Sequence, residues 1–179
     1  LSRQRELAQE QVVSQAALDR LAARFPEQVL ERHAHRGDET AVVPKEGLLA
    51  LMLFLKEDDL TRFEMLSDVT AVDYLGKHEP RFEVVYHLYS LSLNHRLRIK
   101  VRVEEDEAEC SVPSVMELWR SAYWMEREVF DLYGIRFEDH PDLRRVLLYD
   151  EFEGHPLRKD YDMEHRQPLI PAREGKQHL

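Results

Sequence analysis

RFEVVYHLYSLSLNHRLRIKVRV, residues 81–103, is the stretch on which the fold turns. From Arg96 onward it alternates without a break. Leu97, Ile99, Val101 and Val103 fall on one side of an extended chain, and Arg96, Arg98, Lys100 and Arg102 on the other. Successive side chains of a strand point to opposite faces, so this period of two marks a strand with one covered and one wet face. Arg81–Ser92 is equally rich in β-favouring residues, and Asn94–His95 supplies a bend between them. The stretch therefore predicts an antiparallel hairpin whose apolar face needs a covering layer.

Working outward, Met65–Tyr74 predicts a third strand, with Gly76–Pro80 as the turn after it. Val29–Arg36 and Thr40–Val43, separated by Gly37–Asp38, predict a further hairpin. Helices supply the cover. Val13, Ala16, Ala17, Leu21 and Ala22 recur at helical spacing before Pro26. Pro44 opens a second helix running to about Lys56, apolar nearly all round and so expected to be deeply buried. Ser114–Tyr133 predicts a third, with Ser114 and Glu117 spaced as a capping box and Gly134 placed for a left-handed C-terminal cap. Val115, Leu118, Trp119, Ala122, Met125, Val129 and Leu132 form its apolar stripe. The fold class is α+β: an antiparallel or mixed sheet of about four to five strands packed with helices, plus an extended C-terminal arm. Residues 1–133 are the expected globular domain and 134–179 the expected partner-binding arm, because periodicity fades after Gly134 and Pro141, Pro156, Pro168 and Pro171 punctuate the rest.

Composition narrows the function. Of 179 residues, 43% are hydrophobic and 34% charged, enough for a core inside a polar surface. The apolar run Leu48–Leu55 is far short of the roughly 20 residues of a membrane-spanning helix, and the polar N-terminus lacks the apolar centre of a secretory signal. Any membrane association is expected to be peripheral. A net charge of -10 argues against nonspecific nucleic-acid binding. A single cysteine, Cys110, rules out an intrachain disulfide and a cluster held by this chain's own thiolates. None of the six glycines forms a dinucleotide or nucleotide phosphate cradle, so no cofactor is expected in this chain.

The densest chemistry lies in EREVFDLYGIRFEDHPDLRRVLL, residues 126–148. Glu128, Asp131 and His140 could do acid–base work if they converged. Arg127 and Asp131, four apart, and Glu117 and Arg120, three apart, could simply pair along a helix, and no activated nucleophile is near. His33 and His35 could share a metal, but no third ligand stands at a diagnostic spacing. The basic row 96–102, with Tyr86, His87 and Tyr89 on the neighbouring strand, suggests an RNA platform, against which the acidic charge weighs. Prolines that stiffen a backbone beside arginines suited to bidentate contacts favour a protein-docking arm. Its interface candidates are Glu126, Arg127, Asp131, His140, Pro141, Arg144, Arg145, His155, Pro156, Arg158 and Lys159.

The 126–148 stretch also resembles the hallmark motif of the C-subunit family of NADH–quinone oxidoreductase, respiratory complex I. DEFEGHPLRKDY (150–161) is similar to that family's continuation, and SDVTAVDY (67–74) and RFEVVYHLYSL (81–91) stand upstream in the expected order. Val146 stands where isoleucine or leucine is usual. The resemblance covers roughly Thr40 to Tyr161. It implies a non-redox peripheral-arm subunit beside the large quinone-site subunit and neighbouring iron–sulfur subunits, with FMN, clusters and quinone held by those partners. It also implies a peripheral position on the cytoplasmic face of the inner membrane, or the matrix or stromal side in an organelle. Related subunits occur in membrane-bound hydrogenases and the plastoquinone complex.

Overall fold

The computed structural model describes residues 15–36, 38–106 and 110–169. In chain order these form helix α1 (15–24), strands β1 (Glu31–His35) and β2 (Asp38–Val43), helix α2 (Leu48–Glu57), strands β3 (Met65–Asp73), β4 (Phe82–Ser90), β5 (His95–Val103) and β6 (Ser111–Pro113), helix α3 (Ala122–Tyr133) and strand β7 (Arg136–Glu138). The predicted hairpin is the middle of the sheet. β4 and β5 pair antiparallel from Phe82↔Val103 to Ser90↔His95. The strand order is β1-β2-β5-β4-β3, with β2 parallel to β5 and the other pairs antiparallel, so the sheet is mixed. β6 and β7 form a small parallel pair of their own.

All the described helices cover one face. Tyr86, Ile99, Val101, Leu97 and Ala41 meet Leu18 and Leu21 of α1, Leu48, Leu51 and Leu55 of α2 and Val129 of α3 in a single core, all essentially sealed from solvent. The opposite face carries the basic row. There Arg98 reaches Asp38 at 3.2 Å, Lys100 reaches Glu83 at 2.8 Å, and Arg102 reaches Glu31 at 2.7 Å. Cross-strand ion pairs of this kind stabilise a solvated sheet face modestly.

Three expectations are corrected. α2 is not buried all round: Leu49 and Leu53 are 43% and 40% exposed, because only the side bearing Leu48, Leu51, Met52 and Leu55 meets the sheet. On α1 the buried side chains are Ala17, Leu18 and Leu21, while Ala16 is exposed and Val13 lies outside the described residues. The third helix begins at Ala122, eight residues after the predicted start at Ser114. Residues 114–121 instead make two short turns, with Trp119 N–H donating to Val115 O and Ala122 N–H to Trp119 O, both at 3.0 Å. A nonlocal contact holds the start of this segment: the Val115 amide donates to buried Glu126 at 2.8 Å, and Ser114 Oγ donates to the same carboxyl at 2.6 Å. The Ser114 amide, which a capping box would give to Glu117, donates to Glu138 O at 2.9 Å. Trp119 Nε1 and Ser121 Oγ then tie the segment to the carbonyls of Phe63 and Leu66.

The expected division at Gly134 leaves β7 on the arm side, yet β7 pairs with β6 and buries Phe137 beside Ile135. No described helix is long and apolar enough to cross a membrane.

Candidate subunit interface

α3 carries Glu126, Arg127 and Asp131 inward, with solvent exposures of 0%, 5% and 0%. They do not pair with one another. Glu126 holds the 114–115 turn, as described. Arg127 donates through Nε and Nη2 to the carbonyls of Arg144 and Arg145, at 3.1 and 3.0 Å, and its guanidinium lies over the Trp124 ring. Asp131 Oδ2 accepts three successive amides, from Val146, Leu147 and Leu148, at 2.9, 2.8 and 2.9 Å. Its Oδ1 accepts Arg145 Nη1 at 2.7 Å. Burial pushes the Asp131 carboxyl upward, but the amides and Arg145 outweigh it and hold the group below the usual carboxylate range. Arg145 also donates to the carbonyls of Phe152 and Gly154, both at 3.0 Å, so it braces the arm from within.

The same arm closes the end of α3. A helix leaves its last four carbonyls without intrahelical partners. Here Phe130 O accepts Gly134 N–H at 2.8 Å and Leu132 O accepts Leu157 N–H at 3.1 Å. Asp131 O accepts His155 Nδ1 at 2.9 Å, and Tyr133 O accepts Arg158 Nε at 2.5 Å. Cations at a helix C-terminus also oppose its negative dipole end. Gly134 is required twice over. Its φ of 76° is left-handed, and a Cβ there would lie 2.6 Å from the His155 ring.

A second tether lies at the sheet. Arg81, 1% exposed, grips Asp73 through Nε and Nη2 at 2.9 and 2.7 Å and Asp160 through Nη1 and Nη2 at 3.0 and 2.7 Å. It also binds Glu105, and Lys159 N–H donates to Asp73 at 2.8 Å. Burial raises the Asp73 carboxyl, but Arg81 and the Lys159 and Leu75 amides outweigh it and bring it down to about 2. The hydrogen bonds from Asp73 and Asp160 hold Arg81 well above its ordinary range. Sequence reasoning missed this four-residue lattice. Asp73, Arg81, Glu105 and Asp160 are scattered along the chain, and none carries a local signal.

The interface candidates therefore divide. Glu126, Arg127 and Asp131 are buried and bond within this chain, and the Arg127–Asp131 pair is absent. Arg145, His155 and Arg158 also bond inward, although partly exposed. His140 is half-buried, donating through Nε2 to Tyr123 O and accepting the Asp142 amide at Nδ1, both at 3.1 Å. Pro156 is half-buried. Pro141, Arg144 and Lys159 are exposed, Arg144 having 71% of its side chain open. Around them lie exposed apolar side chains missed in the sequence: Trp124, Leu147 and Leu157 at 59%, 62% and 49%.

The rival chemistries do not assemble. Glu128 is exposed, Asp131 is closed off and His140 is occupied at both nitrogens, so these three form no acid–base centre. Tyr86 points into the core, away from His87 and Tyr89, which splits the RNA platform. Among the described residues no group of three or more His, Cys, Asp or Glu is placed to hold a metal ion.

Residues 41–167, which contain both tethers, match the sequence model of the family described as respiratory-chain NADH dehydrogenase, 30 kDa subunit. The chain belongs to that family. The NADH-quinone oxidoreductase C-subunit of Trichlorobacter lovleyi is 50% identical over 148 residues, covering 83% of this chain and 89% of that protein. Its counterparts in Geobacter sulfurreducens and Hyphomonas neptunium are 47% and 48% identical, covering 83% and 82% of this chain and 89% and 73% of theirs. Among solved structures, the trypsin-resistant fragment of Nqo5 superposes with a TM-score of 0.61 at 36% identity, over 71% of this chain and 99% of that one. A chain of the membrane-bound sulfane sulfur reductase, an archaeal respiratory membrane complex, gives 0.71 at 27% identity, over 84% and 86%. The five-stranded sheet and its helices are thus the 30 kDa subunit fold, and the chain is a subunit of a NADH-quinone oxidoreductase complex.

Proposed function

We propose that this chain is a non-redox scaffold in the peripheral arm of proton-translocating NADH–quinone oxidoreductase, with no catalytic activity of its own. It docks beside the large quinone-site subunit and neighbouring iron–sulfur subunits, which hold the FMN, clusters and quinone, on the cytoplasmic face of the membrane. The observation carrying this reading is the commitment of the motif's interior charges to shape. Glu126, Arg127, Asp131 and Arg145 bind this chain's own backbone and side chains, while Arg144, Leu147, Leu157 and Lys159 face outward from the segment they fix. A rigidly held strap with an exposed outer edge suits partner binding, because ordering costs are met within the chain. The similarity to a sulfane sulfur reductase chain supports a second assembly, in which the same scaffold serves another electron-transfer complex.

Arg144→Ala tests the docking. The exposed side chain contributes within about 0.5 kcal/mol to the free fold, so thermal stability of the isolated chain stays unchanged. Affinity purification from native membranes should then recover less of the quinone-site subunit with the variant than with the wild type. Equal recovery with normal turnover removes Arg144 from the interface, and wild-type chain recovered without that subunit refutes the scaffold reading.

A further inference from the structure

We propose that the cavity between the arm and the sheet domain binds a small oxyanion, a phosphate or carboxylate group, between the guanidinium groups of Arg136 and Arg158. The cavity measures about 360 Å³, within the range of small-molecule sites and far more than one water fills. The arm supplies His155 and Arg158 to its wall, and the domain supplies Glu105, Cys110, Phe130 and Arg136. Arg158 is oriented by this chain but not used up by it. Its Nε donates to Tyr133 O at 2.5 Å, and its Cζ lies 5.2 Å from the centre of the Phe82 ring. A Cβ at Gly134 would lie 2.9 Å from Arg158 Nη2, so the bare glycine makes room for that end of the side chain. Among the described residues, neither Nη atom of Arg158 donates to a protein oxygen. The guanidinium is therefore aimed before any ligand arrives, with its two-pronged end unfilled. Such a fork matches the paired oxygens of a phosphate or carboxylate. A half-buried donor without an acceptor is costly, and an oxyanion removes that cost.

Arg136 is the second cation. It stands on β7, where Phe137 turns into the core and Arg136 itself is exposed. Among the described residues its side chain makes no hydrogen bond or ion pair. The carboxylates closest to this region are engaged elsewhere. Glu105, which also lines the cavity, is bound by Arg81, as are Asp73 and Asp160. None of the three pairs with Arg136 or Arg158, so both cations keep their capacity for an incoming anion. Phe130 and buried Cys110 make part of the wall apolar, where a charged contact is screened less than in water. The site exists only while the arm is seated, because one of its two cations comes from each side of the cavity.

Inorganic phosphate and acetate are the probes, each titrated into the isolated full chain against chloride at constant ionic strength. The readout is NMR of the arginine Nε–Hε groups. Those of Arg136 and Arg158 should shift and saturate, while that of Arg144, with 71% of its side chain open, should not. Saturation with phosphate alone assigns a phosphate group, with acetate alone a carboxylate, and with both a general oxyanion site; each supports the proposal. Arg136→Gln removes an exposed cation that bonds to nothing in the fold, so the melting temperature should stay unchanged while anion affinity falls about tenfold or more. Arg158→Lys keeps the charge but loses the fork, and should weaken binding to a similar degree. The sole thiol, Cys110, gives an independent reading: the bound anion should slow its alkylation by iodoacetamide in wild type and not in Arg136→Gln. No saturating shift with either anion, an equal response at Arg144, or unchanged affinity in Arg136→Gln overturns the proposal. Arg136→Gln decides it even if Arg158→Lys does not fold, and no measurement needs a partner subunit.

Discussion

Replacing Asp131 by alanine removes the acceptor that gathers three amides and one guanidinium into a single point. A hydrogen bond to a charged group contributes about 1.5–3 kcal/mol, and breaking a buried charged pair costs about 3–5 kcal/mol. These figures do not add. Val146 and Leu148 are only half-buried, Leu147 is exposed and Arg145 keeps 17% of its side chain open, so water can reach part of what the carboxylate leaves. The lower end applies, about 3 kcal/mol. Asp131→Asn keeps one oxygen and the shape but loses the charge, and should cost about 1–2 kcal/mol. The loss should be local, because the hydrogen bonds this carboxyl accepts all come from residues 145–148. Hydrogen exchange of the 146–148 amides in Asp131→Ala should accelerate by about a hundredfold, while β4 and β5 stay protected. Equal costs for Ala and Asn, or unchanged exchange at 146–148, would refute the claim that the charge organises the arm.

Two further outcomes follow from the geometry. Gly134→Ala puts a β-carbon on a left-handed backbone and against His155, so it should lower stability by at least about 1 kcal/mol and the melting temperature by about 2–4 °C; an unchanged melt would show that the His155 cap is dispensable. Asp73, drawn from 3.8 down to about 2, contributes about 2 kcal/mol that is present above pH 3.8 and lost as pH falls towards 2; denaturation midpoints against pH should show a flatter acid limb in Asp73→Asn, and an identical limb would count against the Arg81 lattice.

The sheet was legible because its signal is local. Alternation at 97–103 fixed which face is buried, and turn residues near Asn94 and Gly76 fixed where strands end. The parallel pairing of β2 with β5 was not legible, since it joins residues such as Thr40 and Arg98 across the intervening helix and strands. The third helix was read too long for a related reason. Val115, Leu118 and Trp119 keep helical spacing inside short turns, and Trp119 and Ser121 are tied to the carbonyls of Phe63 and Leu66, distant along the chain. Charge density in 126–148 carried no information on which way each charged group points. Arg127 and Asp131 stand four apart on one helix, yet each prefers backbone groups of 144–148 that no local pattern could indicate. Tyr86 and Tyr89, three apart on a strand, could have been separated by parity alone.

The anchors at Arg127 and Asp131 grip peptide groups: two carbonyls and three amides. Every non-proline residue supplies those groups, so this contact sets no side-chain requirement at 146–148. The strap can thus keep its path while its outward side chains change to suit a neighbour. The path of residues 146–148 and the chemistry they turn outward are set by different atoms of the same residues.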